Sequence, residues 1–150
     1  MNFVDVSQDK YGIGQSVSRS EDPLLLKGKG VFTDDISLPN QLYAYMIRST
    51  IAHGNIVNIN TAEAEKILGV HKVITGKDLQ HYNNLQCPMT LKSKDGTPLK
   101  KPARPSLSTD KVRFVGDPLA CVIADSLQIA KDAAEIISVD IDPLAAVTSA

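Results

Sequence analysis

The run from Val112 to Asp125 constrains the fold more than any other stretch. Two extended pieces flank Gly116, Asp117 and Pro118, and the second is apolar at nearly every position, the pattern of a buried strand. Pro118 pushes Asp117 into extended geometry, so Gly116-Asp117 is poorly suited to a two-residue hairpin. The expectation is a bend or bulge that redirects one continuous edge. An amphipathic helix follows at once. From Ser126 to Ile137, the side chains of Leu127, Ala130, Ala133, Ala134 and Ile137 fall on one face, and Lys131, Asp132 and Glu135 on the other. Asp125 or Ser126 supplies its N-cap. A short Val/Ile strand, Val139 to Ile141, completes a strand–helix–strand unit.

Upstream the signals are shorter. Gln41 to Ser49 reads as a strand with Leu42, Ala44 and Met46 on one face and Tyr43, Tyr45 and Ile47 on the other. Both faces are apolar, so both are expected to be covered. Asn55 to Ile59 is a weaker strand after the break at His53-Gly54. Asn60 or Thr61 caps a short helix through Leu68, stopped by Gly69, with Ala64, Ile67 and Leu68 as its buried stripe. Val70 to Thr75 is a further strand, and Gly76 to Leu79 adds a turn. Near the start, Ser20 caps one or two helical turns that carry Pro23 and stop at Gly28. Residues 1–20 form an extended entry arm. Gly12 and Gly14 lack the flanking strand and helix that a phosphate-binding loop needs. Residues 21–150 make one domain whose mixture of strand and helix argues α+β or α/β.

Between Gln80 and Asp110 the character changes. Pro88, Pro98, Pro102 and Pro105 fall here, Asp95-Gly96 signals a turn, and Lys92, Lys94, Lys100, Lys101 and Arg104 stand against Asp95. A Pro/Lys-rich loop of this length is either a solvated basic loop or a surface that docks on a partner chain. No aromatic residues interleave with the basic ones, which argues against nucleic acid. The formal net charge of -1 points the same way. No apolar run approaches the ~20 residues of a membrane span. Met1 to Val6 lacks the basic and apolar segments of a secretory signal, so the chain is read as cytoplasmic.

Chemistry-bearing residues are sparse. Cys87 and Cys121 show no Cys-x-x-Cys spacing and are read as reduced thiols, Cys121 as a small hydrophobe in a strand and Cys87 as reachable in a loop. His53, His71 and His81 are isolated. Asp34-Asp35 reads as a turn with side-chain-to-backbone bonds rather than a carboxylate pair. Arg48, at a strand end, pairs locally or caps a carbonyl. No catalytic, cofactor-binding or metal-ligating residue is assigned.

One ordered set of segments spans almost the whole chain. It comprises Ile13 to Arg19, Glu21 to Gly30, Phe32 to Ile36 with Leu38-Pro39, Arg48-Ser49 with Ala52-His53, and Gly69-Val70 with Thr75 to Leu79. It ends with Asp110 to Ala120 through Ala124-Asp125, Asp132 to Glu135, and Val139-Asp140 with Pro143-Leu144. Together these resemble the N-terminal part of the molybdopterin-binding large subunit of the xanthine dehydrogenase, aldehyde oxidase and carbon monoxide dehydrogenase family. The resemblance implies an α+β fold, the α/β hammerhead, with a mixed sheet covered by two main helices. It also implies an oxidoreductase acting on aldehydes, N-heterocycles or carbon monoxide. The catalytic glutamate and the loops around the molybdopterin lie downstream of the matched region, so this chain is expected to bind no cofactor alone. The complete enzyme would carry the molybdenum-molybdopterin group, with 2Fe-2S clusters and FAD in partner subunits. Its nearest partner would be the remainder of the large subunit. Leu85 to Ser108 are the candidates for lining an approach to the downstream site. Ile51 departs from the family's usual Pro. The rival reading is a free-standing interaction module of the same fold without redox activity.

Overall fold

The computed structural model describes residues 19–147. The arm expected over residues 1–20, with Gly12 and Gly14, lies almost wholly outside the described residues. The chain divides into two compact units, Met1–Pro39 and Asn40–Ala150.

In the first unit, helix α1 (Asp22–Leu25) is a single turn with proline at its start. Ser20 does not cap it. Glu21 occupies the N-cap without a side-chain bond, and Asp22 instead accepts the Arg19 N–H at 3.2 Å and lies 3.3 Å from the Arg19 Nε. The stop falls at Gly28 as expected, where the Gly28 and Lys29 amides close onto the carbonyls of Leu25 and Leu24. Thr33–Asp35 forms a 3-10 turn, and the Asp35 carboxylate accepts the Phe32 N–H at 2.9 Å. Asp34-Asp35 is therefore a turn, not a paired-carboxylate site.

The second unit contains strands β1 (Tyr43–Arg48), β2 (Gly54–Asn60), β3 (Val70–Thr75), β4 (Lys111–Val112), β5 (Pro118–Ala124) and β6 (Ser138–Pro143), with helix α2 (Leu127–Ile136) between the last two. They form two three-stranded sheets, ordered β1-β5-β3 and β4-β2-β6. Every pairing is antiparallel. The α+β class holds, but in place of one mixed sheet under two main helices the described residues form two antiparallel sheets and one main helix. The second helix fails for a local reason. After the 3-10 turn Ala64–Lys66, Ile67 is already extended (φ -69°, ψ 130°), and Gly69 at φ 89° turns the chain into β3. Ala64 is buried, but Leu68, expected in the buried stripe, is 94% exposed.

The core lies between α2 and one face of the β1-β5-β3 sheet. Ala120, Val122 and Ala124 of β5, Val73 of β3, Ala64, and Ala130, Ala133 and Ile137 of α2 form one buried cluster. Alanines on both sides let the helix axis approach the sheet closely, where larger side chains would hold it off. Ser126 resolves the capping question: its hydroxyl accepts the Ile129 N–H at 3.2 Å. Leu127, placed on the buried face by its spacing, is 44% exposed.

The bend at Gly116 is more consequential than a redirected edge. Val112 ends β4 in one sheet and Pro118 begins β5 in the other, so the five residues between carry the chain from sheet to sheet. Gly116 takes φ 92°, which costs a residue with a Cβ about 1–2 kcal/mol. Its N–H donates to the Ser49 carbonyl at 2.7 Å, the Ser49 N–H donates to the Asp117 carbonyl at 2.9 Å, and the Ser108 N–H donates to the Pro118 carbonyl at 2.8 Å. Opposite the corner, Ile47 pairs with Ala120 but Arg48 with Pro118. Leu119 is the extra residue of this bulge and is buried.

Candidate functional site

Around this corner the Pro/Lys-rich loop folds back and makes a cleft of about 700 Å³. One wall runs from Asn84 to Pro88, the second from Lys100 to Pro105, and the third includes Arg113, Phe114 and Asp117. The first two are joined by the Leu85 N–H, which donates to the Arg104 carbonyl at 2.8 Å, and by the Lys101 Nζ, which donates to the Cys87 carbonyl at 3.1 Å. The third is joined to the second where the Arg104 guanidinium lies over the Phe114 ring, 5.7 Å from its centroid. The loop's return is fixed at Gly76, where a Cβ would come within 2.8 Å of the Ser108 carbonyl oxygen and 2.9 Å of that of Leu107. Leu107 and Ser108 are buried. Sequence reasoning saw the basic loop but not the cleft, because Phe114 and Asp117 come from the corner.

The electrostatics of the cleft are one-sided. Lys100, Lys101, Arg104 and Arg113 line it, against the single carboxylate of Asp117. That carboxylate is buried and already accepts the Arg113 N–H at 2.9 Å. Among the described residues no carboxylate lies within ion-pairing distance of Lys100, Lys101 or Arg104.

A second surface is apolar. The register places Ala44 and Lys72 opposite Ile123, and Met46 and Ile74 opposite Cys121, on the face of the β1-β5-β3 sheet turned away from α2, so that the face is apolar apart from Lys72 on its β3 edge. Ala44 and Met46 are exposed; Cys121, Ile123 and Ile74 are half-buried. The expectation that both faces of the first long strand are covered is therefore corrected: among the described residues α2 covers one, and Ala44 and Met46 on the other are exposed.

The remaining candidates have structural roles. The Arg48 guanidinium caps the Gly116 carbonyl at 3.0 Å. His53 Nδ1 bonds the Ala145 carbonyl at 2.8 Å, beside the Leu144 amide on the His53 carbonyl, which extends the β2–β6 pairing. His71 is the extra residue of a bulge in β3 and meets Asp125 at 2.7 Å. That pair spans 54 residues and no spacing rule would find it. The His81 ring packs at a 40° tilt against that of Tyr82, with centroids 4.1 Å apart. At the departure position, the Ile51 N–H donates to the Ser49 hydroxyl at 3.0 Å, a bond that Pro could not make. Cys87 is an exposed free thiol, and Cys121 a half-buried one whose pKa burial pushes up. Among the described residues no three His, Cys, Asp or Glu side chains converge as a metal site. No helix among the described residues is long and apolar enough to cross a membrane.

Comparison with known proteins gives these surfaces a context. Residues 27–145 match the family model described as aldehyde oxidase and xanthine dehydrogenase, a/b hammerhead domain. The chain is 39% identical over 132 residues to the 6-hydroxypseudooxynicotine dehydrogenase complex subunit gamma of Paenarthrobacter nicotinovorans, a match covering 88% of this chain and 17% of that one. Among solved structures, quinoline 2-oxidoreductase from Pseudomonas putida 86 is similar with a TM-score of 0.79 and 36% identity, over 90% of this chain and 17% of the other. A Cu,Mo-CO dehydrogenase in its carbon monoxide reduced state is similar with a TM-score of 0.67 and 33% identity, over 89% and 16%. The chain therefore spans a small part of the length of each relative. It belongs to the aldehyde oxidase and xanthine dehydrogenase family, as an a/b hammerhead domain.

Proposed function

We propose that this chain is the N-terminal, non-catalytic segment of the large subunit of a molybdenum hydroxylase, an oxidoreductase acting on aldehydes, N-heterocycles or carbon monoxide. Residues 21–150 act as its hammerhead domain and residues 1–20 as an entry arm. Its role is to complete the subunit by packing against the remainder, which carries the molybdenum-molybdopterin group. FAD and iron-sulfur subunits accept the electrons, and the complex works in the cytoplasm. The observation that carries this reading is the uncovered apolar face formed by Ala44, Met46, Ile74, Cys121 and Ile123. Apolar surface of this kind, in a domain spanning so little of its relatives' length, is what a neighbouring domain buries. The isolated chain has no turnover in this reading, since the remainder of the subunit carries the molybdenum-molybdopterin group.

The test is co-expression with the remainder of the large subunit. The two parts should co-purify, and omission of this chain should lower molybdenum content and activity together. A remainder that assembles with full metal content and activity without this chain would sink the proposal.

A further inference from the structure

We infer that the cleft bounded by residues 84–88, 100–105 and 113–117 is a binding site for a flat organic anion, an aromatic carboxylate by class. The inference does not depend on the subunit reading, because it concerns the chain's own side chains. Three observations carry it. The cavity, at about 700 Å³, has the size of sites that take small organic ligands. Its apolar lining comes from Leu85, Pro88, Pro102, Pro105 and Phe114, and of these only Phe114 offers an aromatic face. Its cations outnumber its carboxylates four to one among the lining residues, and the one carboxylate, Asp117, is occupied by a backbone N–H.

The geometry favours a carboxylate with a flat apolar body over a bare inorganic anion. The Arg104 guanidinium lies 5.7 Å from the Phe114 ring centroid, so its planar fork and an aromatic side chain stand together where a carboxylate and its apolar body would bind. Guanidinium and carboxylate match as two parallel hydrogen bonds. Lys101 spends one of its three N–H groups on the Cys87 carbonyl, which holds its charge at the wall and leaves the other two for a ligand. The ties from Leu85 to Arg104 and from Lys101 to Cys87 also mean that the two walls are positioned before a ligand arrives, which reduces the ordering cost of binding.

The experiment titrates the purified full chain with 2-naphthoate, whose fluorescence is read easily because the chain has no Trp. Saturable binding is expected, weakened by added salt, with the neutral amide of the same ring bound at least about ten-fold more weakly. Arg104→Gln and Phe114→Leu should each lower affinity by about ten-fold while leaving the thermal midpoint near that of the parent chain. Bound naphthoate should also slow alkylation of Cys87, which lines the cleft. Absence of saturation at millimolar ligand, equal binding of acid and amide, or an Arg104→Gln variant that binds as well as the parent would each overturn the inference. A hexaglutamate peptide that displaces naphthoate at lower concentration than naphthoate itself would assign the cleft to an acidic protein segment, which also overturns it.

Discussion

The guanidinium of Arg48 donates to the carbonyl of Gly116 at 3.0 Å, joining residues 68 positions apart. The contact fastens the end of β1 to the bend at which the chain leaves one sheet for the other. The backbone bonds from Gly116 to Ser49 and from Ser49 to Asp117 lie on either side of it. The corner also sets the cleft, since Phe114 and Asp117 belong to both.

Gly116→Ala should therefore destabilise the chain by about 1–2 kcal/mol. A Cβ there would meet nothing within 4 Å, so the cost is the backbone angle of 92° alone. Arg48→Met should cost less, about 0.5–1.5 kcal/mol, as one exposed hydrogen bond is lost. Urea denaturation midpoints measure both, and a Gly116→Ala variant as stable as its parent would disprove the role given to the bend.

Helix α2 separates cap, buried face and exposed face. Ser126→Ala removes the bond to the Ile129 N–H and should cost about 1 kcal/mol. Ala133→Leu forces extra volume against β5 and should cost about 1–3 kcal/mol. Leu127→Ala, although it alters a residue of the apolar stripe, should stay within about 1 kcal/mol, because that side chain is largely exposed. If Leu127→Ala proved the worst of the three in thermal melts, the packing described for α2 would be incorrect.

The uncovered sheet face makes a different prediction. Ala44→Glu and Met46→Lys place charge on exposed positions, so the chain's own stability should change by less than about 1 kcal/mol. Co-purification with the remainder of the large subunit should nevertheless fall sharply, because an unpaired charge would be buried. Pull-down yields that match the parent chain would move the interface elsewhere.

Acid sensitivity is expected at Asp78. The Thr75 N–H at 2.7 Å and the Thr75 hydroxyl at 2.8 Å both donate to its carboxylate, and the backbone bond first, the hydroxyl second, hold its pKa below the ordinary value of 3.8. A carboxylate lowered on folding stabilises the native state above its unfolded pKa, and this contribution is lost as pH falls through the folded value. Asp78→Asn should thus narrow the stability gap between pH 7 and pH 3, read as denaturation midpoints at the two pH values. An unchanged gap would show that the turn after β3 contributes nothing to the acid limb.

Much of this protein was readable along the chain. The apolar run of β5, the 3.6-residue stripe of α2, the capping Ser126, the stop at Gly28 and the turn at Asp34-Asp35 all depend on neighbours within a few residues, and periodicity and turn chemistry report such neighbours directly. The helix expected after Asn60 failed because its apolar positions filled too little of a stripe to hold a second turn, and Leu68 found no surface to bury against.

The sequence by itself determined where the strands and helix α2 lie and that the middle of the chain is a basic loop, but not that the segment after Asn60 stays a single 3-10 turn. Tertiary structure alone decided that β4 and β5 belong to different sheets, that among the described residues α2 covers only one face of β1, that His71 meets Asp125, and that the loop closes on Phe114 to make a charged cleft. The physical reason is the same each time. An apolar period says that a face prefers burial, but only contacts between residues far apart in the chain determine what, if anything, buries it.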